Sequence, residues 1–169
     1  GADVEDKHIP LGSGQSFREL LVDQLALLDI PGDLRDLGEH LIGHLDDDGY
    51  LRRDLASIVN DLAFTQGIEV ELEALDDTLA VVQTLDPPGV GARDLQECLR
   101  LQILRKQHDK LDDDPRQESL AVALDILETQ YEAFTKKHFE KLQSQLGLSE
   151  DQLKAALDEL TTLNPKPGN

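Results

Sequence analysis

The sequence predicts an all-α fold: two small helical sub-bundles joined by a Pro/Gly-rich junction. Hydrophobic residues make up 39% of the 169 and nearly half of them are leucine, while aromatics reach only 4% and Trp is absent. Such a composition favours helices over sheets. Leucines recur every three or four positions through most of the chain, the period of a helix with one apolar face. Between two such segments, residues 87–91 read Pro-Pro-Gly-Val-Gly. Prolines fix φ and lack an amide donor, and glycines permit positive φ and close backbone approach, so this stretch is a shaped junction rather than a slack linker.

Residues 1–15 mix Asp3, Glu5 and Asp6 with Pro10, Gly12 and Gly14 without periodicity and predict a disordered acidic tail. The N-terminal sub-bundle follows over 16–86. Ser16 with Glu19 forms a capping-box pattern ahead of a helix whose face is Phe17, Leu20, Leu21, Leu25 and Leu28, closed by Pro31-Gly32. Asp33 is the expected cap of a second helix bearing Leu34, Leu37, Leu41, Ile42 and Leu45, stopped by Asp46-Asp47-Asp48-Gly49. A third helix is expected from about Asp54 to Phe64 on Leu55, Ile58, Val59 and Leu62. A fourth, over about 70–85, uses Leu72, Leu75, Leu79, Val82 and Leu85, and Asp86 before Pro87 disfavours its continuation.

The junction occupies 87–93 and the C-terminal sub-bundle 94–164. Asp94 with Glu97 predicts a capped helix through about His108 on Leu95, Cys98, Leu99 and Ile103. After a polar stretch, Leu120, Leu124, Leu127, Tyr131 and Phe134 predict one helix over 117–134 with an a/d stripe. Phe139, Leu142 and Leu146 mark a short helix with Gly147 just past its end. Ser149 and Gln152 cap a last helix on Leu153, Leu157, Leu160 and Leu163, and 165–169 are an exit linker. One echo runs through the chain. Leu75, Leu79, Val82, Leu85, Asp86 and Pro87 match Leu153, Leu157, Leu160, Leu163, Asn164 and Pro165 at a single constant offset. Structural duplication and the sameness of any leucine helix ending in proline both account for it.

Sixteen Lys+Arg against 35 Asp+Glu give a formal charge of -19. A body this acidic repels nucleic-acid phosphate and anionic lipid, so its partners should be basic or met through apolar contacts. Simple solubility is the plainer explanation of the charge. The lone Cys98 excludes an intrachain disulfide and any multi-thiolate zinc site, and its place on an apolar face predicts a buried thiol. No apolar run approaches the roughly 20 residues of a membrane span, and no signal peptide is visible. The expected setting is cytoplasmic, and the Gly-Ala start suggests a fragment of a longer chain.

Asp46, Asp48 and Gly49 mimic part of a calcium loop, but aligning Gly49 with that loop's glycine puts His44 and Leu55 where its first and last carboxylates belong. An acidic turn with Gly49 at positive φ is the better reading. His40 and His44 share a helix with no third ligand in sequence, so no metal is assigned. Glycine-rich phosphate loops after a strand, nucleophile contexts and cofactor motifs are missing, and neither an enzyme nor a cofactor is expected. The rival reading is a DNA-binding or regulatory helical domain that uses the helix-turn-helix-like segment 139–160. Its would-be recognition helix carries Glu150, Asp151, Asp158 and Glu159 against Lys154 alone, and only Lys136, Lys137 and Lys141 offer phosphate-neutralising charge nearby.

Three stretches resemble a known family, the bacterial enhancer-dependent sigma factors of the sigma-N type. They are Leu45-Asp46-Asp47-Asp48-Gly49-Tyr50-Leu51, then Leu85-Asp86-Pro87-Pro88-Gly89-Val90-Gly91-Ala92-Arg93-Asp94-Leu95, then Leu163-Asn164-Pro165-Lys166-Pro167-Gly168. Their order and spacing resemble that family's core-binding domain over residues 16–168, with the acidic tail similar to the end of its acidic linker. The resemblance implies a transcription initiation factor fragment, monomeric, that docks on core RNA polymerase. It also implies promoter DNA and an ATP-driven activator as partners of the full-length factor, met through regions outside this sequence, and no membrane partner. The residues expected to set the angle between the sub-bundles or face the partner are Asp86, Pro87, Pro88, Gly89, Gly91, Arg93 and Asp94. Plain helix capping by Asp94 and a surface Arg93 serve as well. Asp48, Gly49 and Tyr50 form a second, more architectural group.

Overall fold

The computed structural model describes residues 15–169; the tail expected over 1–15 lies outside them except for Gln15. Among the described residues there are nine helices and no strand: α1 (Phe17–Ala26), α2 (Gly32–Gly43), α3 (Leu55–Gln66), α4 (Leu72–Val82), α5 (Leu95–Asp109), α6 (Arg116–Thr129), α7 (Tyr131–Thr135), α8 (Phe139–Leu146) and α9 (Glu150–Thr161). The fold is all-α. The chain divides into two compact units, the first taking the described residues up to Arg93 together with Lys166–Asn169, the second Asp94–Pro165.

In the first unit the helix starts follow local hydrogen-bonding chemistry. Ser16 Oγ accepts the Glu19 N–H at 3.1 Å and the Glu19 carboxylate accepts the Ser16 N–H at 2.9 Å, a full capping box. Asp54 accepts the Ser57 N–H at 2.8 Å and opens α3. The second helix departs from expectation: Pro31, not Asp33, is its N-cap, and Asp33 lies inside the first turn. Pro31 holds φ -58° and ψ 150°, and its carbonyl accepts the Arg35 N–H at 3.0 Å. The first turn therefore closes without a side-chain cap, and the Asp33 charge still favours the helix start. A Cβ on Gly38 would lie 2.7 Å from Leu25 Cδ2, so a larger residue there would have to displace the Leu25 side chain from the α1–α2 contact. Leu21, Leu25, Leu41, Ile58, Leu75, Leu79 and Val82 are at most 1% exposed, each contributing about 1.5–3 kcal/mol of apolar burial.

The second unit packs α5 and α9 against α6. Asp94 accepts the Glu97 N–H at 2.8 Å, and Ser149 with Gln152 completes a second capping box at 3.1 and 2.9 Å. The single helix expected over 117–134 is two. Gln130, at φ -133° and ψ 32°, separates α6 from α7. The buried face of α6 is Leu120, Ala123, Ile126 and Leu127, with Leu124 only partly buried. All five residues of the expected stripe still lie in or against this core, Leu124, Tyr131 and Phe134 only partly buried. Ala123, Ile126 and, after the break at Gln130, Ala133 add fully or nearly fully buried positions that the stripe leaves out. Cys98 is fully buried, as its apolar face predicts.

Each unit ties its first helix to the segment just past its last one through one glutamine. Gln24 of α1 donates to the Asp86 carbonyl at 2.7 Å and accepts the Asp86 N–H at 2.7 Å. Gln102 of α5 donates to the Asn164 carbonyl at 2.7 Å and accepts the Asn164 N–H at 2.8 Å. The two pairs stand at the same offset as the leucine echo. That offset also relates the N-cap residues Ser16 and Asp94, the third-position Glu19 and Glu97, and the N-cap residues Glu71 and Ser149. Glu71 makes no side-chain cap where Ser149 does, but Ser16 and Asp94 cap their helices alike. That match and the matched side-chain-to-backbone clasps favour duplication over the sameness of leucine helices.

Candidate functional site

The parts of the three stretches that belong to the first unit, residues 45–51, 85–93 and 166–168, meet around one turn. At their centre is the turn after α2. Asp46 Oδ1 accepts the N–H groups of Asp48 and Tyr50, both at 2.9 Å, and the Asp46 N–H donates to the Tyr50 carbonyl at 2.8 Å. Gly49 closes the turn at φ 93°, with its N–H on the Asp46 carbonyl at 3.0 Å. Tyr50 is 3% exposed, with the Arg52 guanidinium 4.1 Å above its ring. Burial alone would raise the Asp46 carboxyl. The Tyr50 N–H, the Arg52 side chain at 3.3 Å and the Asp48 N–H outweigh it and hold the group below the usual carboxylate range. Arg18 of α1 donates to the Leu45 carbonyl at 3.2 Å and pairs with Asp47 at 3.3 Å.

One side of this turn meets the Pro/Gly stretch. The Gly91 N–H donates to the Gly49 carbonyl and the Leu51 N–H to the Ala92 carbonyl, both at 2.9 Å. Val90 and Ala92 are fully buried in the first unit. Gly89 and Gly91 hold φ 100° and 80°, and a Cβ on Gly91 would lie 3.1 Å from Gln83 Cγ. Gln83 in turn donates to the Gly91 carbonyl at 3.0 Å. Residues 87–93 are thus a folded loop of the first unit, stitched by Gln24 at one end and Gln83 at the other.

The other side of the turn meets the last residues. The Gly168 N–H donates to the Asp48 carbonyl at 2.9 Å, and Asn169 donates to the Asp48 carboxylate. A Cβ on Gly168 would lie 2.3 Å from the Asp47 carbonyl oxygen, so no other residue fits there undisturbed. Pro167 is buried. Sequence reading made 165–169 an exit linker; Lys166–Asn169 instead belong with the first unit.

Of the expected site residues, Asp86, Gly91, Asp48, Gly49 and Tyr50 join this one network. Arg93 lies 3.8 Å from Asp76 in a pair that is half exposed on both sides. Asp94 spends its carboxylate on the start of α5. Gln24, Gln83, Arg52 and Asn169 were not anticipated. Extending the echo towards the N-terminus would have paired Gln24 with Gln102; nothing local marks the other three. The acidic turn spends Asp46 and Asp48 on protein donors, a physical reason against calcium there. His44 is held below its usual pKa by burial first and by Arg53 second. No group of three or more His, Cys, Asp or Glu that could hold a metal occurs among the described residues. None of the described helices is long and apolar enough to cross a membrane.

The helix-turn-helix-like segment forms as α8, Gly147 at φ 64° and α9. Glu159 does not belong to its outer face. It is 7% exposed and takes a two-point contact from Arg116 at 2.8 and 2.7 Å, with Lys106 Nζ at 3.7 Å. The Arg116 contact holds the Glu159 carboxyl below its usual range against the opposing pull of burial.

Comparison with known proteins gives one consistent family. The profile described as "Sigma-54 factor, core binding domain" matches residues 10–169. The chain is 36% identical over 158 residues to the RNA polymerase sigma-54 factor of Rhizobium meliloti, covering 94% of this chain and 28% of that one. It is 37% identical over 154 residues to that of Acidithiobacillus ferridurans, covering 91% and 30%. It is 32% identical over 171 residues to that of Acinetobacter guillouiae, covering 98% and 34%.

Proposed function

The chain belongs to the sigma-54 factor family, through its core-binding domain, and from that premise we propose that it docks an enhancer-dependent initiation factor on core RNA polymerase. It spans 28% of the length of the first relative and about a third or less of the others described above. Promoter recognition and response to an ATP-driven activator are accordingly assigned to the rest of the factor, and the place of work is the cytoplasm, where polymerase is.

The observation that carries this reading is that residues 45–51, 85–93 and 166–168, the first-unit parts of the three family-like stretches, converge on one turn. The polar groups named there are spent on hydrogen bonds, most of them with the backbone, and on surface ion pairs, an arrangement suited to holding a surface rigid and not to moving protons or electrons. We extend the proposal to the untested site residues. Asp48, Gly49 and Tyr50 are architectural. Asp86, Pro87, Pro88, Gly89, Gly91, Arg93 and Asp94 stiffen the covalent connection, because a folded loop runs directly into the N-cap of α5. The DNA-reading alternative loses ground on charge. With Glu159 buried, α9 still presents Glu150, Asp151 and Asp158 against Lys154, a poor neutraliser of phosphate.

Titration of the labelled chain with sigma-free core polymerase, beside a titration with duplex DNA at physiological salt, tests the reading. A saturable complex with polymerase and none with DNA is expected. Tight DNA binding with no polymerase complex contradicts it.

A further inference from the structure

We propose that the groove between the opening turns of α3 and α4 receives an amphipathic, lysine- or arginine-flanked segment of core RNA polymerase. This rests on the docking function above and names the surface that performs it. The groove has a volume of about 670 Å³ and is lined by Asp54, Leu55, Ala56, Leu72, Glu73, Asp76 and Arg93. Its apolar floor is unusual for where it lies. Leu72 is the first residue of α4 and is 51% exposed, beside exposed Ala56 and the rim of the buried Leu55. Other exposed large apolar residues, such as Phe64 at 90%, do not line it.

Charge selects the occupant. Exposed Glu71, Glu73, Asp76 and Asp77 crowd the start of α4, and Arg93 at 3.8 Å from Asp76 offsets only part of that field. An aliphatic side chain placed on Leu72 and Leu55 with flanking cations over Glu73 and Asp76 satisfies both the floor and the rim. A second copy of this chain, at -19, would bring acid against acid. Nucleic-acid phosphate meets the same repulsion.

Anisotropy titration of the full chain with sigma-free core polymerase tests the groove through Leu72→Glu and Ala56→Glu, both at exposed positions that leave the core intact. Each should weaken binding at least about tenfold, whereas Phe64→Ser should stay within about twofold. The double variant Glu73→Gln/Asp76→Asn should flatten the salt dependence of binding. Wild-type binding with Leu72→Glu and Ala56→Glu unchanged overturns the groove and leaves the docking function standing. Failure of the wild-type chain to bind polymerase overturns both. Sedimentation of the chain alone gives a further check: a dimer that Leu72→Glu dissolves would assign the groove to self-association and overturn the proposal.

Discussion

Gln24 and Gln102 each grip the backbone of the residue before a proline, at matching distances of 2.7–2.8 Å, yet the surroundings of the two clasps differ. Gln102 is buried at 7% exposure and also donates to the Cys98 carbonyl at 3.2 Å. Gln24 is only half-buried, while the residues gripped, Asp86 and Asn164, are both exposed, so the difference lies in the glutamines. The chain continues differently as well. After Asp86 it folds into its own unit as the loop that places Val90 and Ala92 in the core. After Asn164 it leaves the second unit at Pro165, and the next four residues pack on the turn of the first unit. A repeated local device has thus been put to two uses. In the second unit the glutamine is part of the interior. In the first it guards the entry to a loop whose own hydrogen bonds carry the load.

This contrast can be broken most forcibly at Gly49. Its φ of 93° and the contacts a Cβ would make, 3.1 Å to the Gly168 nitrogen and 3.2 Å to Pro167 Cγ, put Gly49→Ala at a cost of about 2–3 kcal/mol. Urea unfolding followed by NMR amide signals should show the loss in the first unit and leave the second unchanged. Gln102→Ala strips a buried clasp and should cost the second unit about 2 kcal/mol in the same experiment. Gln24→Ala removes two more accessible bonds and should cost the first unit about 1 kcal/mol; equal costs would erase the distinction between the clasps.

The smallest effect is a pH dependence local to the second unit. The Glu159 pKa is depressed in the folded chain below its ordinary 4.5. Its contribution is therefore complete above that value and fades as pH falls through the depressed one. Arg116 is half exposed, so the contribution stays under about 1 kcal/mol after solvent screening. Glu159→Gln should flatten that part of the acid unfolding curve, read from second-unit amides, while Asp46 keeps the first unit acid-sensitive.

The sequence was most readable where structure is made by neighbours. Ser16 with Glu19, Asp54, Asp94, and Ser149 with Gln152 all cap the helices their spacing implies, because a cap needs only a side chain and an N–H three residues away. Asp33 misled for the same reason: Pro31 supplied the start without a side chain. The register of α6 was less readable, since Ala123 and Ile126 are buried by what packs on them and not by their own hydrophobicity pattern alone. The site was half readable. The stretches 45–51 and 85–95 stood out as sequence, but that Gly168 would press against the Asp47 carbonyl is a long-range fact that no local spacing records.

The most direct measurement is amide hydrogen exchange at Leu51, Gly91 and Gly168 in the wild-type chain and in Gly49→Ala. If one turn unites the three stretches, these amides exchange with a common, high protection in the wild type and lose it together in the variant. Separate protection levels, with Gly168 exchanging freely while Leu51 and Gly91 stay closed, would contradict that union.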